Sequence, residues 1–380
     1  MHIRGVARTD ARVMREATTL AKQQYAVTIV DVDTERNGPI QEDVAGVRIQ
    51  HILPSTSFIR TRFKLRMLIA SIYVLLRTGA DVYHAHDLTA IPASYIAARL
   101  RRKPLIFDAH ELPLAGLKGT RWERFSDLFK GALAHILPRC AGVIAVSPYI
   151  GQEIHASYHS PEASLVRNIP PYKKVNKSDR LRQRLDLGPE VRIALYQGNI
   201  QPDRNLEILV QAAPFLDPNI VLVMMGRAAE ATLVQLHEII EREGVEDRVK
   251  ILPPVLYEEL LDWTASADIG LVIFSPDYSL SIRWSLPNKL FEYLMAGLPV
   301  LAAPLDAVAD LLNQYDVGRI VPSLEPAELG TAMNAMLADH EALERMRSNI
   351  GPAVEQDLCW EKEQHQLIQL YENILATRKR

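Results

Sequence analysis

Short apolar runs alternate with amphipathic stretches along almost the whole chain. In the first half, residues 26–32, 47–52, 81–84, 105–107 and 143–146 have the length and apolar content of buried strands, with helical patterns such as 12–24 and 88–100 between them. In the second half, residues 193–196, 220–225, 249–252, 269–274, 300–302 and 320–321 repeat the same rhythm. Strands of this kind, separated by helices, predict parallel sheets covered on both faces. The rhythm breaks over residues 168–188, where adjacent prolines and a polar, charged run predict a linker. The expected organisation is therefore α/β, with two doubly wound, Rossmann-like parallel-sheet domains at 1–170 and 171–355. Residues 356–380 are expected to close the fold, with a helix over 360–375 packing back toward the N-terminal domain through Trp360, Leu367, Ile368, Tyr371, Ile374 and Leu375.

Length agrees with two domains, since 380 residues exceed the roughly 250–300 at which single cores stop growing. Two cysteines, Cys140 and Cys359, are too few for a disulfide framework or a thiolate metal site. No apolar run reaches the roughly 18 residues of a spanning helix, and the opening residues lack a signal core. A cytoplasmic protein is expected, or one peripheral on the inner membrane face.

The formal net charge of -3 conceals an asymmetry. Residues 1–170 carry 22 Lys and Arg against 15 Asp and Glu, and the remainder 21 against 31. The basic excess centres on residues 58–80, where Arg60, Arg62, Lys64, Arg66 and Arg77 stand among apolar side chains with no acid. Such a segment fits an anionic membrane surface, or a core helix with a solvated basic first turn. Nothing in the charge calls for a nucleic acid.

The glycines include no pair separated by a single residue, so the G-x-G-x-x-G dinucleotide fingerprint is absent, as is the phosphate-binding P-loop. The remaining chemistry lies at predicted strand ends, where doubly wound sheets bind ligands. Asp31 and Asp33 end one strand, as metal ligands or as solvated turn residues. His84, His86 and Asp87 close the next, and Asp108, His110 and Glu111 the one after, as ligands for sugar hydroxyls or as caps of the sheet. Tyr196-Gln197-Gly198-Asn199 ends the first strand of the second half, with Arg204 soon after, an arrangement suited to phosphate. Richest is Arg283-Trp284-Ser285-Leu286-Pro287-Asn288-Lys289-Leu290-Phe291-Glu292-Tyr293. Pro287 is expected at the first position of a helix whose N–H groups, with Lys289, would hold a phosphate, and Glu292 would accept from ribose hydroxyls.

These segments, from Asp10-Ala11-Arg12 through DAHE and YQGN to PNKLFEYLMAGLPV, resemble the retaining glycosyltransferases of family 4. The resemblance covers nearly the whole chain. It implies the GT-B fold, two such domains facing a central cleft, and transfer of a sugar from a nucleotide-diphosphate donor to a glycan or lipid-linked acceptor. It also implies a hexosyltransferase type of reaction, as in polysaccharide biosynthesis, that requires no metal or other cofactor. The donor would bind the second domain and the acceptor face the first. Glu292 matches the second Glu of the E-x7-E motif, and Asn288, Lys289 and Leu290 match positions beside the diphosphate. Arg204 matches a phosphate-binding Lys and His110 a histidine near the donor sugar, so that His110, Arg204 and Glu292 form the expected catalytic set. Gly198, Asn199, Arg283 and Trp284 join the donor side. Arg12, His86, Asp87 and Glu111 are expected on the acceptor side.

Two positions depart from the family pattern. Trp284 stands where the first Glu of E-x7-E belongs, and Asn199 where a phosphate-binding Arg belongs. Arg283 or Lys289 is expected to replace that cation. The alternatives are a nucleotide-sugar epimerase on the same fold, or a catalytically weak nucleotide-sugar-binding scaffold subunit.

Overall fold

In the computed structural model, residues 1–33, 40–52, 60–115 and 123–377 are described. The chain divides into two compact units, residues 1–167 with 364–380, and residues 168–363. The first holds β1 (Thr28–Val32), β2 (Gln41–Val44), β3 (Val47–Ile52), β4 (Tyr83–His86), β5 (Leu105–Ala109), β6 (Gly142–Ala145) and β7 (Ala163–Leu165). They form a sheet in the order β1-β3-β2 and another in the order β4-β5-β6-β7. His2 bridges both, pairing in parallel with Val30 and with Ala85, so Met1–Ile3 fills a strand position between β1 and β4.

The second unit holds β8 (Arg192–Gln197), β9 (Ile220–Met225), β10 (Val249–Leu252), β11 (Ile269–Val272), β12 (Val300–Ala302) and β13 (Gly318–Ile320). These make a single parallel sheet in the order β10-β9-β8-β11-β12-β13. Tyr196, Leu222, Met224 and Ile269 bury one face against the helices Leu206–Ala212, Glu230–Glu243 and Pro326–Ala338. The sheet order turns at β8, with β9 on one side and β11 on the other, so the carboxyl end of β8 is the switch point where a doubly wound sheet takes its ligand.

Several expected boundaries move. β4 runs to His86 and β5 to Ala109, each two residues past the expected apolar run, so His86 and Asp108 are strand residues with buried side chains. β2 is antiparallel to β3, an exception to the all-parallel expectation. Pro287 precedes the helix Asn288–Met295 as its N-cap instead of opening it. The predicted linker contains the helix Arg180–Leu185. The closing helix is Trp360–Thr377, and its residues from Gln364 onward belong to the first unit, where Leu370 and Ile374 cover Gly142.

Two glycines shape the switch point. Gly198 adopts φ +126°, which L side chains rarely do, and a Cβ at Gly226 would fall 1.7 Å from the Gly198 carbonyl oxygen. The oxygen belongs to the backbone and a Cβ is fixed to it, so neither can step aside. Gly226→Ala is expected to destabilise the protein by about 1–3 kcal/mol, the range for overpacking. The measurement is a lower urea midpoint at unchanged slope.

Candidate active site

In the second unit the site grows from the end of β8. Gln197 is the last residue of the strand, and its backbone N–H donates to the Tyr293 hydroxyl at 2.8 Å. Its side-chain amide donates to Glu292 Oε2 at 2.6 Å, while its carbonyl accepts from the Thr264 hydroxyl at 2.6 Å. Glu292 and Lys289 are three apart on the helix Asn288–Met295, hence on neighbouring positions of one face. Lys289 is buried, with Nζ 3.6 Å from the Tyr196 ring centre and 5.0 Å from that of Phe274. The Arg204 guanidinium lies 5.3 Å from the same Phe274 ring. No hydrogen bond or ion pair joins Lys289 Nζ to an acceptor among the described residues. Burial first, then the neighbouring Arg204, pulls the Lys289 ammonium well below its ordinary pKa. Cation–π contacts return about 0.5–2 kcal/mol each, less than the several kcal/mol a buried charge loses with its water. Against burial and Arg204, the Glu292 carboxylate raises the Lys289 pKa.

Lys289 also answers the substitution at Asn199. A Cβ placed on Gly198 would meet Lys289 Nζ at 3.3 Å, so this cation stands against the very turn that carries Asn199. The Asn199 carbonyl meanwhile accepts from the Tyr196 hydroxyl at 2.8 Å. Arg283 is placed differently. Its Nε donates to both carboxylate oxygens of Asp306 at 3.1 and 3.0 Å, and Trp284 Nε1 donates to the same carboxylate at 3.1 Å. Between the two replacements expected for the missing cation, the geometry favours Lys289. Leu290 offers a ligand nothing: its side chain is core and its N–H is given to the Pro287 carbonyl. The Asn288 side chain accepts from Asn168 at 2.8 Å.

The first unit brings together a second set. Asp108, buried on β5, accepts two bonds from Arg12, at 3.0 Å from Nε and 2.7 Å from Nη2. The same carboxylate faces His86 Nδ1 at 3.0 Å and His110 Nε2 at 3.1 Å. Arg12 further donates to the Val166 carbonyl at 2.8 Å and lies 3.1 Å from Glu16. Burial alone would raise Asp108, but Arg12 holds it well below the usual carboxylate range. Burial, then Asp108, pushes Glu16 up to about 8. Burial opposes charge on His110, yet Asp108 carries its pKa above the ordinary value. Burial lowers His86 to about 4 and His84 well below its usual range, so both are neutral. His84 Nδ1 pairs with the Tyr371 hydroxyl at 2.9 Å.

Arg12 is thus a buried structural cation, 3% exposed, and not the acceptor ligand expected of it. His110 and Asp87 do reach a cavity of about 310 Å³, lined also by His86, Arg4, Thr9 and Asp10. Asp87 holds a left-handed φ of +65°, a strained conformation that sites of function often retain. Glu111 is raised by burial and by Asp87. Asp31 is neither a metal ligand nor a solvated turn residue. It accepts from the Ala7 N–H at 2.9 Å and pairs with His51 at 2.7 Å.

One group among the described residues has the spacing of a metal site: Glu16, His84, His86 and Asp108 place ligand atoms within 4.8 Å of one another. The Arg12 guanidinium already meets both of those carboxylates and supplies the positive charge. Sequence reasoning assigned no role to Gln197, Thr264 or Phe274. Gln197 lies in the Tyr196-Gln197-Gly198-Asn199 segment, whereas Thr264, on the helix Tyr257–Thr264, carries no local signal at all.

Comparison with known proteins gives matches across both units. A family model described as Glycosyltransferase Family 4 matches residues 9–171, and one described as Glycosyl transferases group 1 matches residues 177–351. A D-inositol 3-phosphate glycosyltransferase of Streptomyces bingchenggensis is 28% identical over 205 residues, covering 51% of this chain and 43% of the relative. That alignment spans less than half of the relative's length. The enzyme of the same name from Nocardia farcinica is 25% identical over 360 residues, covering 88% of this chain and 78% of that one. Among solved structures, sucrose-phosphate synthase from Thermosynechococcus elongatus superposes with a TM-score of 0.80 at 18% identity, covering 96% of this chain and 93% of the other. Anabaena HepE in complex with UDP and glucose superposes with a TM-score of 0.73 at 17% identity, covering 98% and 100%. At these identities the structures establish the fold, which is GT-B.

Proposed function

The chain belongs to glycosyltransferase family 4, and from that premise we propose that it moves a sugar, with retention of configuration, from a nucleoside-diphosphate donor to a glycan or lipid-linked acceptor. The observation that carries this reading is the pair of cations at the carboxyl end of β8. Lys289 and Arg204 flank Phe274 beside the Gly198 turn, and Glu292 stands one turn along the helix with its carboxylate held by Gln197. A diphosphate answers the two cations, and paired ribose hydroxyls answer Glu292. The relatives are named for transfer to an inositol phosphate, and HepE is described with UDP and glucose, which supports a nucleotide-sugar partner.

In this reading the bond from the anomeric carbon to the β-phosphate oxygen breaks toward Lys289 and Arg204. The acceptor oxygen bonds to the same face of the sugar, and the departing phosphate oxygen takes the acceptor's proton. The positive charge that favours departure comes from side chains and the N-terminal N–H groups of Asn288–Met295, so no metal is needed. The acceptor's hydroxyls are assigned to the first-unit cavity, where Asp87 accepts and His110 donates. The lipid-linked alternative draws support from the helix Arg60–Arg77. Leu65, Ile69 and Tyr73 recur there every fourth residue and are all more than half exposed, with Arg77 stacked on Tyr73. Residues 58 and 59 of the basic segment, and the side chains of 60–64, lie outside the described residues. No described helix is long and apolar enough to cross a membrane.

The test is turnover of UDP-, GDP- and ADP-sugars, with and without a membrane extract as acceptor source, scored for nucleoside diphosphate. Release that needs both a particular donor and the extract is expected. A donor isomerised without extract would instead mean an epimerase. Tight binding without turnover would mean a scaffold, with Trp284 tied to Asp306 as the place to look.

A further inference from the structure

Lys289 is a buried lysine whose Nζ has no hydrogen-bond acceptor among the described residues, and the acid that raises its pKa is Glu292, three residues on along the same helix. Tyr196 comes from β8, Phe274 follows β11, Gly198 forms the turn, Arg204 adds a second positive charge, and Glu292 is committed to Gln197. An empty site with two cations side by side, one of them on a largely buried side chain, is electrostatically unfavourable, and a lysine escapes that state by shedding its proton, as an arginine cannot. A bound diphosphate reverses the balance, because its oxygens add counter-charge and supply the hydrogen-bond acceptors that Lys289 lacks among the described residues.

We propose that the diphosphate of the donor binds this site together with one proton taken from solvent, which converts the Lys289 amine to an ammonium bonded to a phosphate oxygen. The proposal rests on the donor-site reading above. Its balance is simple: the free amine and a solvent proton become the ammonium, and the proton returns to solvent when the nucleoside diphosphate leaves. The sign of the pH effect follows. Occupancy raises the affinity of Lys289 for its proton, so binding is strongest at low pH. It weakens as pH rises through the window between the depressed value of the empty site and the ordinary or higher value of the occupied one. The nucleotide does not confound this window, since its last phosphate ionisation lies at about pH 6.

The experiment is calorimetric titration of the full chain with UDP, GDP and ADP at pH 8.5, in two buffers of different ionisation heat. The difference in observed heat gives the protons exchanged. Wild type should take up protons on binding, up to about one, and its affinity should fall by up to about tenfold per pH unit within that window. Lys289→Arg, charged at every pH used, should bind with no proton uptake and a flat pH profile. Lys289→Met should also lose the uptake and bind more weakly, which covers the case where the longer guanidinium does not fit beside Gly198. Binding by wild type without proton exchange, or uptake that survives in either variant, overturns the proposal and leaves the donor site intact. Failure of all three nucleotides to bind overturns the donor-site reading, and this inference with it.

Discussion

Arg12→Met is expected to lower the thermal midpoint by about 10 °C, the largest single effect on stability at any residue described above. Arg12 is 3% exposed and holds Asp108 through two bonds, the Val166 carbonyl through a third, and Glu16 at 3.1 Å. A methionine fills most of the space but leaves the buried Asp108 carboxylate without its guanidinium, with the His110 imidazole at 3.1 Å as a partner that remains. Breaking a buried pair in this way costs about 3–5 kcal/mol. At about 2–4 °C per kcal/mol for a unit of this size, the shift is on the order of 10 °C. Glu16→Gln is the informative counterpart, because the amide imitates the protonated acid. Glu16 has a folded pKa of about 8 against an ordinary 4.5, so the folded protein keeps a proton that the unfolded chain releases. The stability tied to that proton is complete below the unfolded value and is lost as pH rises toward 8. Wild type should therefore lose a few kcal/mol across that window that Glu16→Gln does not. Scanning calorimetry between pH 5 and 8.5 reads the difference. Parallel profiles for the two proteins would mean that Glu16 is ionised in the fold.

The two variants test what the sequence could not express. An arginine at the start of a helix, near a strand-end DAHE segment, has the local appearance of a ligand for an anionic acceptor. Its real partner, Asp108, is 96 residues away, and nothing near Arg12 announces that carboxylate. Arg283 misleads for the same reason, since Asp306 pairs with it from the start of the helix Asp306–Tyr315, 23 residues on. Lys289 and Glu292 were legible because one helix carries both and its periodicity alone puts them on one face. The apolar strands were legible too, as burial on both sides leaves a continuous run. β2 was not, because Gln41-Glu42-Asp43-Val44 is an edge strand with alternate residues exposed and reads as loop. Met1–Ile3 escaped notice for a different reason: a single bridging residue, His2, is too little to show any period.

The second large effect is on catalysis. Glu292→Ala is expected to reduce kcat/KM for the donor by about 10²–10³. A carboxylate accepting from two ribose hydroxyls makes charge-assisted bonds of about 1.5–3 kcal/mol each, and each 1.4 kcal/mol is a factor of ten. The same argument grades the residues behind it. Gln197 presents its amide to Glu292 at 2.6 Å and is itself fixed by the Thr264 hydroxyl at 2.6 Å, so the chain from Thr264 to the Glu292 carboxylate is two bonds long. Thr264→Val keeps the shape and removes one neutral hydrogen bond, of about 1 kcal/mol, which permits the amide to turn. Its effect should be about three- to tenfold, felt mainly in KM, with the thermal midpoint nearly unchanged. Gln197→Met removes both links and should fall between the two. If Glu292→Ala kept its donor kcat/KM within threefold of wild type, the carboxylate would not hold the ribose. If Thr264→Val lost as much as Glu292→Ala, the order of the chain would be wrong, and Thr264 itself would have to meet the nucleotide.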